Sequence, residues 1–144
     1  MRCVLAALCL IACVSYAADQ PTIDVHRDAN CGCCTEWISH LKDHGFNVND
    51  YVENDMSAVK QRLGVPPRLA SCHTAVIDGK FVEGHVPADD ILKLRQRADL
   101  VGAAVPGMPM GSPGMEMGAH KDPYQVIGLD AQGAEHILNQ YSGH

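Results

Sequence analysis

Four residues, Cys31-Gly32-Cys33-Cys34, constrain this chain more than any other stretch. Before them, Ile23 to Arg27 alternates apolar and polar residues, the period of a half-buried strand. After them, Thr35 to His44 carries Trp37, Ile38 and Leu41 at helical spacing. The cysteines therefore fall at a strand-to-helix junction, where a helix N-terminus lowers thiol pKa. Cys31 and Cys34 form a C-x-x-C pair, but Cys33 interrupts it. A third thiol invites scrambling if the only task is clean disulfide exchange. Thiolates crowded at a positive helix end suit a soft metal better.

Thiolate and thioether ligands select Cu(I), zinc or iron–sulfur clusters. Neighbouring Cys33 and Cys34 project about 100° apart on a helix. That spacing is expected to keep them from closing one tetrahedron with Cys31, and favours thiolates shared among several Cu(I) ions. A four-cysteine zinc site ordinarily uses two separated knuckles, and one is present here. The fourth thiol, Cys72, precedes an apolar strand, Thr74 to Ile77, and is followed by His73. Asp78-Gly79 is a strong hairpin signal. If it forms a two-residue turn, Ile77 faces Lys80, and counting outward brings His85 beside Cys72. The competing interpretation is structural disulfides, Cys31–Cys34 with Cys33–Cys72.

Met108, Met110, Met115 and Met117 form two Met-x-Met pairs. Thioethers hold Cu(I) with little effect of protonation, yet methionine also fills irregular gaps in a core. Both interpretations stay open. His44, at the end of the first helix, suits the helix dipole. His40 reaches the cysteines only if its helix face turns inward. His26 is expected at the surface or in packing, and His120, His136 and His144 support nothing definite.

The rest of the chain supplies a single α/β domain, residues 18–144. Phe46 to Val52 is expected as a second strand and Met56 to Leu63 as a short helix. Phe81 to Val86 is expected as the return strand of the hairpin, and Pro87 starts a helix to about Arg97. Strand, helix, strand, helix, hairpin, helix is the order of a thioredoxin-like fold, a central mixed sheet flanked by helices. A Met-rich irregular loop follows at 104–119, within a Gly- and Pro-rich stretch from Gly102 to Pro123. Tyr124 to Leu129 and Ile137 to Tyr141 then form a closing hairpin. With 47% hydrophobic and 5% aromatic residues, the core is largely aliphatic.

The chain has seven cysteines, and Cys3, Cys9 and Cys13 fall in an apolar run after Arg2. That run is shorter than the roughly 20 residues a membrane span needs, and it fits the h-region of a secretory signal at 1–17, cleaved after Ala17. Leu10-Ile11-Ala12-Cys13 offers an alternative, a lipoprotein signal at 1–12 with Cys13 acylated. Both export the domain. The net charge of −6 argues against nucleic-acid binding by phosphate neutralisation.

The motifs Cys31-Gly-Cys-Cys-x-x-Trp37-x-x-His40-Leu41, Ser71-Cys72-His73-Thr74-Ala75, Glu83-Gly84-His85-Val86-Pro87 and Ala104-Val105-Pro106-Gly107-Met108-Pro109 through Met117 together resemble the CopG-type periplasmic copper-resistance proteins. These are distinct from the DNA-binding repressors that share the name. The resemblance covers about residues 23 to 141. It implies a thioredoxin-like domain binding several copper ions through Cys31, Cys33, Cys34 and Cys72, in copper and silver tolerance. It also implies a redox role between Cu(I) and Cu(II). The expected metal ligands are these four cysteines with His73 or His85, the methionines serving to shuttle Cu(I). Expected partners are copper ions and other periplasmic copper-handling proteins, with membrane attachment only through a Cys13 anchor. Two rivals remain: a periplasmic thiol–disulfide oxidoreductase and a binding-only copper chaperone.

Overall fold

The structure is a computed structural model that describes residues 20–144. The expected signal segment, with Cys3, Cys9 and Cys13, lies outside the described residues. The chain runs β1 (Thr22–Arg27), α1 (Gly32–Asp43), β2 (Asn47–Val52), α2 (Met56–Arg62), a 3-10 turn at Pro67–Leu69, β3 (Thr74–Ile77), β4 (Lys80–Glu83), α3 (Ala88–Arg95), β5 (Leu100–Ala104), β6 (Tyr124–Asp130) and β7 (Glu135–Tyr141). The seven strands form one mixed sheet in the order β2-β1-β3-β4-β5-β6-β7. β1 and β2 are parallel, as are β4 and β5, and the remaining neighbours are antiparallel. The α/β class and the closing hairpin are as the sequence patterns lead one to expect.

Helix α1 forms because Cys34, Trp37, Ile38 and Leu41 recur at i, i+3, i+4 and i+7, and all four are buried. It begins at Gly32, three residues before the expected start, so Cys33 and Cys34 lie in its first turn. It ends where Gly45 turns left-handed at φ 83°. There the Gly45 N–H donates to the Lys42 carbonyl (3.0 Å) and the Phe46 N–H to the Leu41 carbonyl (3.1 Å), closing the helix while Phe46 joins Leu41 in the main core. Asp55 caps α2 by accepting the Ala58 N–H at 3.0 Å.

The main core joins Ile23, Val25, Ala75, Ile77, Val82 and Ala103 of the sheet to Trp37 and Leu41 of α1 and Ile91 and Leu94 of α3. Successive strand residues face opposite sides. Phe81 and Ala104 thus turn away from this core into a smaller cluster with Val65, Leu69 and Leu129. The C-terminal hairpin is tied to α3 through the buried carboxylate of Asp90, which accepts from Tyr141 Oη (2.6 Å) and Asn139 Nδ2 (2.9 Å).

Two strands in the middle of the sheet also depart from the sequence patterns. β4 stops at Glu83, where Val86 was expected, because Gly84 turns left-handed at φ 72°. β5 runs into a stretch expected to be irregular from Gly102. Its glycine and alanines carry little strand preference, and it is a strand because β4 and β6 pair with its two edges. Gly102 is required there, since a Cβ would lie 2.3 Å from the Phe81 ring.

His40 faces α3 and is not among the residues gathered around the cysteines. Its Nε2 accepts the N–H of Ala88, the first residue of α3, at 3.1 Å, while its ring packs on His44 at 4.2 Å. Accepting at Nε2 requires a neutral ring. Burial first, and His44 second, hold the His40 pKa below its ordinary 6.5. A histidine whose folded pKa is lowered takes up fewer protons folded than unfolded, so its stabilisation is present above the unfolded value and is lost as pH falls below it. His40→Ala is expected to cost about 1 kcal/mol near neutral pH. In paired urea titrations of parent and variant, that difference should shrink below about pH 6. A difference that grows on acidification would contradict this role.

Candidate metal centre

Three parts of the fold meet at one end of the sheet: the first turn of α1, the segment leading into β3, and the turn leaving β4. Cys31 precedes α1 with extended backbone angles, φ −84° and ψ 91°. Cys31 and Cys34 are joined as a disulfide, while among the described residues Cys33 and Cys72 are free thiols. Cys33 Sγ lies 3.6 Å from Cys31 Sγ and 3.8 Å from Cys72 Sγ. All four sulfurs lie within 4.8 Å of one another. Vicinal Cys33 and Cys34 thus both lie near Cys31, which precedes the helix. Sulfurs around one tetrahedral ion stand about 3.8 Å apart for a metal–sulfur bond of about 2.3 Å, so spacing alone does not reject a single ion.

The hairpin register places the other half of the site. Ile77 pairs with Lys80 and Thr74 with Glu83, and one further bond runs from the Gly84 N–H to the His73 carbonyl at 3.0 Å. Continuing outward, His85 Nε2 lies 3.2 Å from Cys72 Sγ, the neighbour that the two-residue turn predicts. His73 Nδ1 is also 3.2 Å from that sulfur. Cys72, His73 and His85 thus form a second cluster sharing Cys72 with the first.

Both imidazoles are fully buried, and burial is the main cause holding both pKa values below the ordinary range. His85 Nδ1 lies 2.8 Å from the Pro113 carbonyl, which can only accept. Nδ1 therefore carries the proton, and a neutral ring then presents the Nε2 lone pair to Cys72. His73 packs against Trp37 (4.2 Å) and His85 (4.9 Å), and its Nε2 has no hydrogen-bond partner among the described residues. Burial, and then Cys33, push the Cys72 thiol up to about 12, so it is protonated when no ion is bound.

The Met-rich stretch is irregular between β5 and β6, and it lies across this end of the domain. Asp122 closes its base, pairing with the Met110 backbone at both N–H and carbonyl (2.9 Å each). Ser71 Oγ donates to the Gly107 carbonyl. Gly114, at φ 85°, rests on α1: a Cβ there would lie 2.8 Å from Trp37 N and 2.9 Å from the Cys33 carbonyl oxygen. The methionines do not share one environment. Met108 and Met117 are 51% and 66% exposed, and Met110 and Met115 are half-buried. Elsewhere, His26 pairs with Glu53 (2.6 Å), His120 with Asp122 (2.9 Å) and His136 with Asp130 (2.8 Å).

Glu83 supports the site and escaped the sequence patterns. Its buried carboxylate accepts from Lys60 Nζ (2.5 Å), Thr74 Oγ1 (2.5 Å) and the Ser71 N–H (2.7 Å). Burial raises its pKa, and Lys60 and Thr74 oppose that shift. Three donors and no acceptor suit the ionised form. The Ser71 bond holds the backbone immediately before Cys72. A glutamate on an apolar strand was a faint signal; its partners lie on three separate segments.

A family profile described as "Protein of unknown function, DUF411" matches residues 69–115. No curated protein matches the chain. The solved structure titled "Copper resistance protein copG- Form 2" is 69% identical, with a TM-score of 0.85, covering 85% of this chain and 99% of that one. The Form 1 structure is 70% identical with a TM-score of 0.84, covering 87% and 100%. The chain belongs to the CopG family of copper resistance proteins. In this CopG-family chain the cysteine cluster is compatible with metal binding.

Glu83→Ala is expected to destabilise the fold by about 3 kcal/mol, because it leaves the Lys60 ammonium without its counter-charge and the Ser71 N–H without its acceptor. Urea unfolding followed by the fluorescence of Trp37, the chain's one tryptophan, measures it. A cost below about 1 kcal/mol would mean that the bonds to Glu83 are readily replaced by water.

Proposed function

We propose that this chain is an exported copper-binding protein of copper resistance, in which Cys31, Cys33, Cys34 and Cys72 hold several Cu(I) ions. The observation that carries this reading is the shared position of Cys72, common to the four-sulfur cluster and to the Cys72-His73-His85 cluster. A thiolate can bridge two ions, so one residue in two ligand groups suits a multinuclear site better than an isolated ion. The donors fit copper: thiolates are soft, and two neutral imidazoles are borderline ligands that also accept Cu(II). Such a mixed set supports interconversion of Cu(I) and Cu(II). The sequence similarity to proteins titled copper resistance protein supports copper as the cargo.

In this reading Cys72 must give up its proton on loading, because burial and Cys33 hold the thiol up to about 12. His85 is oriented by the Pro113 carbonyl, and Glu83 steadies the backbone before Cys72. The Met-rich loop rests on the first turn of α1 through Gly114. Met108 and Met117 present thioethers outward for uptake or transfer of Cu(I), with Met110 and Met115 set deeper. The N-terminal run supports export to the periplasm by a signal at 1–17, or lipid attachment at Cys13. Among the described residues no helix is long and apolar enough to cross a membrane.

Anaerobic loading of the fully reduced chain with Cu(I), followed by counting copper per chain, tests the reading. More than one ion per chain is expected, and Cys72→Ala should lower the count and weaken retention. A count of zero or one, unchanged by Cys72→Ala, would sink the multinuclear site.

A second reading, a thiol–disulfide oxidoreductase, is favoured by one observation: the Cys31–Cys34 disulfide at the start of α1. It predicts reduction of insulin disulfides by metal-free protein, unaffected by Cys33→Ser.

A further inference from the structure

The Cys31–Cys34 disulfide divides the ligands of the centre into two sets. Closing it withdraws two sulfurs from metal binding. It leaves Cys33 and Cys72 as thiols 3.8 Å apart, with His73 and His85 each 3.2 Å from Cys72. We propose that this disulfide is a redox gate on copper capacity. Cys31 and Cys34 bind copper only when an external dithiol has reduced them, and Cys33, Cys72, His73 and His85 hold copper in both states. The proposal rests on the copper-binding reading above and adds a regulator to it.

Burial decides the order of exchange. Cys31 is half-buried, whereas Cys34 is fully buried beneath the first turn of α1. An external thiolate therefore attacks Cys31 Sγ. A new sulfur–sulfur bond forms to the reagent, the Cys31–Cys34 bond breaks, and Cys34 leaves as a thiolate at the helix N-terminus, where the dipole favours negative charge. The second thiol of the reagent then attacks its own sulfur in the mixed disulfide and releases Cys31. Overall, two electrons and two protons pass to the Cys31/Cys34 pair, and the dithiol becomes a disulfide. The reverse exchange with an oxidised dithiol closes the gate and expels the ions held by that pair.

The second set has the features of a site that survives oxidation. Cys72 sits between two buried imidazoles, and His85 Nε2 is fixed toward it by the bond from Nδ1 to Pro113. Cys33 completes this set from the helix without belonging to the disulfide. Two thiols and two imidazoles are enough donors for one Cu(I). The reduced centre adds two sulfurs within 4.8 Å of the others and so has room for further ions bridged by thiolates.

The test compares the same chain in two redox states. One sample is reduced with dithiothreitol and desalted without air; the other is oxidised, and its disulfide is located by peptide mapping. Each is titrated anaerobically with Cu(I) against a chromophoric chelator, bicinchoninate. The oxidised chain should retain copper but bind at least one ion fewer, and dithiothreitol should restore the difference. The double variant Cys31→Ser, Cys34→Ser should show the lower count whether or not dithiothreitol is present. Equal counts in the two states of the parent chain would overturn the gate. An oxidised chain that binds no copper would overturn the second set. Mapping of the disulfide to Cys33 or Cys72 would overturn the division of ligands. A reduced chain that binds no copper at all would instead remove the underlying copper reading.

Discussion

Between Ile77 and Lys80 the chain reverses through Asp78 and Gly79, both with positive φ, 51° and 74°. Two consecutive residues in that conformation make the tight turn whose twist matches an antiparallel pair. The turn fixes the β3–β4 register, and the register fixes which residues emerge at the far end. Cys72 and His85 are neighbours there because no residue is added or lost between them and the turn. A slip of one residue would carry alternate side chains to the other face, removing Thr74 from Glu83 and His85 from Cys72. The position of half the centre thus follows from a backbone reversal at the opposite end of β3 and β4.

The other half depends on α1, and the two halves are locked by packing between them. Trp37 donates from Nε1 to the Val86 carbonyl (2.9 Å), joining the cysteine helix to the turn beyond β4. The same indole lies against His73. The Met-rich loop then rests on both halves, with Gly114 over the start of α1 and the Pro113 carbonyl on His85. Its path is set by β5 and β6, which flank it in sequence, and the β6–β7 hairpin is anchored in turn on Asp90 of α3. Strands added at one edge of the sheet therefore bear on a centre at its end.

Burial makes this centre chemically distinct. Taking His73 and His85 out of water keeps them neutral, the state in which imidazole ligates. The same burial, with Cys33 beside it, keeps the Cys72 thiol protonated until something displaces its proton. Proximity alone would make the sulfurs a set of competing disulfides. One pair is closed, and the remaining thiols stand beside imidazoles that make them useful as ligands.

The sequence by itself determined the features that depend on near neighbours. The strand-to-helix placement of Cys31 to Cys34, the hairpin at Asp78-Gly79, the pairing of Cys72 with His85 and the irregular Met-rich loop all follow from periodicity, turn chemistry and composition within short windows. Tertiary structure decided what depends on distant partners. β5 is a strand only because two other strands flank it, and Gly102 is there because Phe81 fills the space. Convergence of Cys72 on Cys31, Cys33 and Cys34 required the lead-in to β3 to pack at the start of α1, which periodicity does not report. Glu83 became a support for the centre only when Lys60, Thr74 and Ser71 were brought to it. Local patterns fix backbone direction and register. Only folding brings together donors and acceptors from separate segments, and only burial sets the protonation states on which ligation depends.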